Sequence, residues 1–365
     1  MIRAAVMVAP GAPIEVREIP DPSMEPGAVL LDTILSEVCG TDVHLRHGRL
    51  AGVPYPIVPG HVSVGRVAET GGAVTDVEGR SVRPGDTVTF LDVHETCHAC
   101  WYCLVAKQST RCPKRKVYGI TYSAEEGPLG GWGERIWLKP GVHVVPLAAD
   151  VTPERWMGAG CGLPTALHAV DRAGIRLGDR VAVQGSGPVG LSAAILARLS
   201  GAMSVIVLGD PPARLEAARG FGADATIAVG ETTAEERIER VREMTGGRGA
   251  DVTIEATGVP AAVREGMQMT RDGGRLVVVG QYTDAGDATF NPHADINRRH
   301  LDVRGTWGFD YSHLHRAMEV VARHGDEVRW ERAITRAYGL EEMDRALDDV
   351  EAGRVVKAVV RPGAV

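Results

Sequence analysis

From Arg180 onward the chain alternates short unbroken apolar runs with segments of helical character, and that alternation constrains the fold more than any other feature. The pattern predicts strands at Val181–Gln184, Val205–Leu208, Thr226–Val229, Asp251–Glu255 and Leu276–Gly280, with a sixth at Leu301–Arg304. Helices are expected between them at Val189–Ser200, Ala213–Phe221, Glu235–Met244 and Ala261–Thr270. Strands with no polar face belong in a parallel sheet covered on both sides, so this region is an α/β doubly wound domain. Residues before about 150 differ. Runs such as Ile14–Ile19, Ala28–Thr33, Val62–Glu69, Thr87–Val93 and Glu134–Leu138 are separated by Gly and Pro turns, as in a small β-barrel or sandwich. Thr152-Pro153-Glu154 opens a helix. After the alternation, a helix at Ser312–His324, a run from Ile334 to Tyr338, a helix at Leu340–Glu351 and a strand at Val355–Val360 form no further βα unit and suit a return to the first domain.

Gln184-Gly185-Ser186-Gly187-Pro188-Val189-Gly190 follows the first strand of the alternation and opens a helix, the context a dinucleotide fingerprint needs. Gly185 permits the turn, Gly187 leaves room for a pyrophosphate, and Gly190 lets the helix pack close to the sheet. The unused N–H groups at the helix start then face the phosphates. Asp210, after the second strand, is the acid available for the adenosine ribose, and it favours NAD over NADP. Arg214 nearby serves a ribose hydroxyl or a 2′-phosphate, so NADP stays open. The bland alternative for Asp210 is a solvated turn residue.

Cys97, Cys100, Cys103 and Cys112 place four thiols within 16 residues, enough to enclose one tetrahedral zinc in a closed structural site. His98 lies inside that loop as a bystander. Cys39 and Cys161 have no cysteine neighbours. With His61 they make two thiolates and one imidazole, a set that leaves one zinc position open for catalysis, although isolated cysteines are more often small buried apolar residues.

Together these segments resemble the zinc-containing medium-chain dehydrogenases, the superfamily of alcohol, sorbitol and threonine dehydrogenases. The resemblance rests on Cys39-Gly40-Thr41-Asp42-Val43-His44, Gly60-His61, the four-cysteine loop, Cys161 with Thr165, the glycine fingerprint and the ending Gly353-Arg354-Val355-Val356-Lys357. It implies a GroES-like β-barrel catalytic domain of residues 1–162, completed by 306–365, with a Rossmann domain of residues 163–305 inserted. It implies that Cys39, His61 and Cys161 bind the catalytic zinc, and that Thr41 and His44 relay the substrate proton. Thr165, Thr257, Gly280 and Lys357 would join Gly185, Gly187, Pro188, Val189, Gly190, Asp210 and Arg214 around the cofactor, with Lys357 on the pyrophosphate. Zinc at the open site would acidify an alcohol, and a hydride would pass between it and NAD(P). Leu50, Tyr55, Tyr118, Trp132 and Trp307 are the candidate pocket walls, or ordinary core. Arg46 and His47 are rim residues or binders of a charged substrate.

Two departures from the pattern stand out. Val62 follows His61 where relatives carry a glutamate, and Gly209 precedes Asp210 where the ribose-binding acid is usual. The competing readings are a zinc-free quinone or enone reductase of the same superfamily, and a non-catalytic binding protein with this fold. The net charge of −7 and the absence of like-charge blocks argue against a nucleic-acid partner. No apolar run of about 20 residues is present to span a membrane, and the first residues do not read as a signal peptide. A cytoplasmic homodimer or homotetramer acting on a small alcohol or carbonyl compound is the expectation.

Overall fold

The structure is a computed structural model that describes residues 1–363. It divides into two compact units, residues 1–160 with 310–365 and residues 161–309.

In the first unit the strands Val144–Pro146, Thr87–Phe90, Ser63–Thr70, Val29–Val38, Lys357–Val360 and Ile334–Tyr338 lie side by side in that order, and Arg135–Leu138 also pairs with Val29–Val38. All these pairings are antiparallel except the last two strands, which run parallel. The C-terminal strand therefore sits beside Val29–Val38, with Ala358 opposite Val38, so the chain end completes the N-terminal sheet. Apolar residues pack on both faces. One core gathers Met7, Leu45, Ile57, Trp132 and Leu347; the other gathers Leu31, Phe90, Tyr118 and Ile136. The C-terminal helix is Met343–Glu351, preceded by a single tight turn at Leu340–Glu342 rather than by helix from Leu340.

The second unit carries the expected all-parallel sheet. Its order is Ala225–Ala228, Ser204–Gly209, Arg180–Gln184, Ala250–Glu255, Thr270–Val278, Asp302–Gly305. The chain reverses its direction of winding between Arg180–Gln184 and Ala250–Glu255, and the crevice at the carboxyl ends of those strands is where such sheets bind ligands. Helix Pro260–Met269 ends one residue sooner than the sequence suggested, because Thr270 is already extended and opens the fifth strand. No helix of the described residues is long and apolar enough to cross a membrane.

Candidate active site

Cys39 terminates the strand Val29–Val38 and caps the helix Gly40–Arg46. Its backbone N–H donates to Asp42 Oδ2 at 2.8 Å, and its Sγ accepts from the Thr41 N–H at 3.4 Å. This local capping box holds the thiol over the N-terminus of the helix. His61 Nε2 lies 3.9 Å from that Sγ, close to the separation of about 3.6 Å that tetrahedral zinc imposes on a sulfur and a nitrogen ligand. Gly60 delivers the imidazole from a left-handed turn (φ +91°); a Cβ there would stand 2.6 Å from both Ser36 Oγ and the Trp132 ring.

The surroundings of His61 are electronegative. Burial opposes its protonation, yet the Cys39 thiolate, its hydrogen bond, and the carboxylates of Asp42 and Asp92 raise the imidazole to about 10. Asp42 and Asp92 are themselves buried, and burial raises both carboxyl groups. His61 Nδ1, Asp42 Oδ1 and Asp92 Oδ1 have no hydrogen-bond partner. A buried thiol, imidazole and two carboxyl groups with unmet polar atoms fit a cation, and the donor set of sulfur and nitrogen suits zinc. Asp42 and Asp92 were not singled out on sequence. Asp42 sits inside the Cys-Gly-Thr-Asp motif, but nothing local marks Asp92, which reaches His61 only through the fold.

Thr41 and His44 occupy one face of the short helix at a spacing of three. Burial first, and Arg49 next, lower the pKa of His44, which keeps the ring neutral near pH 7. Arg46 and His47 are not open to a charged substrate: Arg46 pairs with Asp348 at 2.6 Å and His47 with Glu351 at 2.7 Å, tying this helix to the C-terminal one. Among the expected pocket walls, Tyr118 and Trp132 are wholly buried. The Tyr118 hydroxyl accepts the Lys139 N–H and the Trp132 indole donates to the Glu37 carbonyl, so both are core. Tyr55 donates to the Leu45 carbonyl and, with Leu50, packs along the edge of the same core.

Lys357 is also buried. Its ammonium lies 2.9 Å from Glu37 Oε1, with each side chain 1% exposed. Gly160, at φ +47°, makes room for the pair: a Cβ would fall 2.2 Å from both groups.

The four-cysteine loop holds its thiols together. Cys97, Cys100, Cys103 and Cys112 have all sulfurs within 4.8 Å of one another. The Cys100–Cys103 and Cys112–Cys97 sulfurs are 3.6 and 3.5 Å apart, near the roughly 3.8 Å edge of a zinc tetrathiolate. The segments Trp101–Leu104 and Ser109–Arg111 bury no residue, and Trp101, Leu104 and Val105 are exposed. Apolar packing therefore contributes little to the loop, and the four clustered thiols could hold a metal ion.

In the second unit Cys161 stands at the N-cap of helix Gly162–Ala173, and Thr165, one turn on, donates its N–H to the Cys161 carbonyl at 3.4 Å. The glycines of the fingerprint differ in their surroundings. Gly185 has φ +110°, and its Cβ would be 2.6 Å from the Ala256 carbonyl; at Gly190 a Cβ would be 1.9 Å from the Gly185 carbonyl. At Gly187 nothing lies within 4 Å, so the backbone is open to a ligand. Pro188 and Val189 begin the helix Pro188–Leu199, whose first N–H groups face that opening.

Asp210 follows Gly209 because Ser186 leaves no alternative: a Cβ at 209 would stand 2.3 Å from Ser186 Oγ. The same hydroxyl donates to the Asp210 carbonyl at 3.0 Å, and the Asp210 carboxylate accepts the Gly230 N–H. Arg214 is partly buried, and that burial lowers its pKa. At the next strand end Glu255 is fully buried, and its Oε1 accepts from Thr257 N, Thr257 Oγ1 and Gly258 N at 2.7, 2.6 and 3.0 Å. Gly280 lies against it, since a Cβ there would be 2.6 Å from Glu255 Oε1. Glu255 thus shapes the loop carrying Thr257; as a lone acid ending an apolar run it gave no signal in sequence.

Residues 25–149 match the alcohol dehydrogenase GroES-like domain and residues 188–323 match the zinc-binding dehydrogenase domain. The 5-exo-hydroxycamphor dehydrogenase of Pseudomonas putida is 35% identical over 360 residues, covering 98% of each chain. An alcohol dehydrogenase structure from Thermotoga maritima superposes with a TM-score of 0.93 at 33% identity over 99% of both chains. A zinc-binding dehydrogenase from Sinorhizobium meliloti, solved with NADP, gives 0.87 at 28% identity, again over 99% of both.

Proposed function

Because the chain belongs to the zinc-containing alcohol dehydrogenase family of medium-chain dehydrogenases, we propose that it oxidises a secondary alcohol, with Cys39, His61 and Cys161 as the protein ligands of a catalytic zinc. The observation that carries this is the buried Cys39–His61 pair in an electronegative pocket that raises the imidazole to about 10. Cys161 directly follows Gly160, where the Glu37–Lys357 pair leaves no room for a Cβ, and it supplies the second thiolate. Two thiolates balance a dication and leave one position for substrate. Zinc held there supplies Lewis acidity toward an alcohol O–H, and the nicotinamide is the hydride acceptor.

The chain's own part is to orient the alcohol and move its proton. The Thr41 hydroxyl accepts that proton and passes it to His44, whose lowered pKa keeps it ready to receive it. Asp42 braces the Cys39 backbone during the step. Val62 is buried beside His61 and offers no carboxylate as a spare ligand. A contact from Lys357 to the cofactor pyrophosphate requires it to leave Glu37. A zinc-free reductase has no use for the three ligands, and a non-catalytic protein has none for the relay. A cytoplasmic homodimer or homotetramer is part of the same proposal. A panel of secondary alcohols with NAD and NADP, alongside metal analysis, tests it: no turnover with any alcohol and either cofactor by the zinc-loaded protein refutes it.

The relay makes its own forecast. His44→Ala is expected to slow alcohol oxidation about 10- to 100-fold below pH 8, with recovery toward higher pH and partial rescue by added imidazole. A pH–rate profile superimposable on the wild type removes His44 from the mechanism.

For the cofactor we propose NAD over NADP. Asp210 is the acid at the end of Ser204–Gly209, and it is held in place by Ser186 and Gly230. A carboxylate there accepts the ribose hydroxyls and repels a 2′-phosphate, a like-charge contact that costs several kcal/mol. Asp210→Ala is expected to raise the NADP/NAD ratio of kcat/KM by about 10-fold or more. An unchanged ratio leaves Asp210 as a turn residue whose carboxylate only holds Gly230.

A further inference from the structure

The sheet of the second unit is parallel, so its two ends carry different loops. The glycine fingerprint stands at the carboxyl end of Arg180–Gln184. At the opposite end, where Ala250–Glu255 and Thr270–Val278 begin, lies an open cavity of about 750 Å³ lined by Arg242, Arg248, Arg271 and Arg299, with Glu239 and Asp272. Four guanidinium groups around one cavity stand out in a chain of net charge −7.

Three of the four have structural work. Arg242 and Arg299 hold the end of helix Pro260–Met269: Arg242 donates to the Gln268 carbonyl at 3.3 Å, and Arg299 to the Met267 carbonyl at 2.6 Å and to the Thr270 carbonyl. Arg271 donates to Asp251 at 2.5 Å and to the Asp272 carbonyl at 2.8 Å. Each also has a carboxylate nearby, with Glu239 3.9 Å from Arg242 and Asp272 2.8 Å from Arg299. Arg248 is different. Among the described residues its side chain makes no hydrogen bond or ion pair. It rides on Gly246-Gly247-Arg248-Gly249, whose glycines have φ of +71°, +79° and +104°. The loop is pinned, because the Gly249 N–H donates to Thr245 Oγ1 at 3.0 Å and the Gly247 N–H to the Arg242 carbonyl at 2.7 Å. The guanidinium lies back against it: a Cβ at Gly246 would stand 3.5 Å from Arg248 Nη2. Helix capping accounts for its neighbours but not for this cation, and those neighbours keep spare donors. Arg271 commits only Nε and Nη1, and Glu239 is beyond hydrogen-bond reach of Arg242.

We propose that this cavity is a binding site for a small phosphate-bearing anion, separate from the dinucleotide site. Phosphate oxygens accept from several guanidinium groups at once, which matches donors converging from a helix end, a glycine loop and the start of a strand. An anion there also offsets the one cation that no carboxylate balances. The cavity has the volume of a small-molecule site rather than of a crevice for a lone ion.

The test is calorimetric titration with pyrophosphate, with and without saturating NADH to occupy the fingerprint, in the wild type, Arg248→Gln and Arg248→Lys. With NADH present, the wild type is expected to bind one pyrophosphate with a Kd below about 1 mM, weakening as sodium chloride is raised. Arg248→Gln is expected to weaken that binding by about 10-fold or more, and Arg248→Lys by less. Both variants are expected to keep the wild-type melting temperature and NADH affinity, since the side chain supports no contact in the fold. Absence of binding by the wild type, or equal binding by Arg248→Gln, overturns the proposal. Binding that vanishes once NADH is added places the anion at the fingerprint and overturns it too. A fall in melting temperature in both variants makes Arg248 a structural residue and counts against the site. Attachment to phosphatidylglycerol vesicles without binding of pyrophosphate assigns the arginines to a membrane surface instead.

Discussion

Cys39→Ser is expected to cut alcohol oxidation by about 10³-fold or more while leaving the melting temperature nearly unchanged. A metal that stabilises developing charge is worth several kcal/mol, and about 4 kcal/mol corresponds to three orders of magnitude in rate. The serine hydroxyl still fits the buried N-cap position, where it accepts the Thr41 N–H in place of the sulfur at 3.4 Å. It remains protonated at neutral pH, so it removes a negative charge from the pocket that raises His61 to about 10. Zinc content should fall from two ions per chain to one. Retention of both zinc ions and of wild-type kcat by the variant places the catalytic metal, if any, away from Cys39.

Cys103→Ser is expected to do the reverse: to lower the melting temperature by roughly 10 °C while the molecules still folded keep most of their turnover. Structural zinc contributes several kcal/mol to folding, and a domain of this size moves by about 2–4 °C per kcal/mol. The effect is large because the loop has little else to hold it. Its two short helical turns bury no side chain, and Trp101 remains 62% exposed. Chelation of the wild type should reproduce the loss of stability in two steps, since the two proposed sites differ in donors and burial. A variant with unchanged melting temperature and two zinc ions would show that three thiolates, or none, suffice for the loop.

The parallel sheet was legible because its cause is local. Val181–Gln184 and the four runs that follow it are largely apolar, and the glycine fingerprint falls between one of them and a helix, a context contained in a dozen consecutive residues. The four-cysteine cluster was legible for the same reason, since all its donors lie within 16 residues. What periodicity and spacing leave open is which distant segments meet. His61 stands 22 positions after Cys39, and their 3.9 Å approach depends on the pairing of Val29–Val38 with Ser63–Thr70. Asp92 charges the same imidazole from a third segment. Tyr118 and Trp132 carry the polar tips of pocket residues, yet Lys139 N and the Glu37 carbonyl satisfy those tips inside the core. Lys357 has the look of a phosphate-binding cation, but sheet pairing sets it beside Glu37 behind Gly160. Even the displaced acid at Asp210 traces to a contact across two strands, where Ser186 occupies the volume a side chain at 209 would need. Local composition thus determined the layers of the protein and the kinds of chemistry it carries. The tertiary structure alone decided which polar groups are satisfied within it, because burial and hydrogen-bond pairing depend on neighbours that the chain brings in from afar.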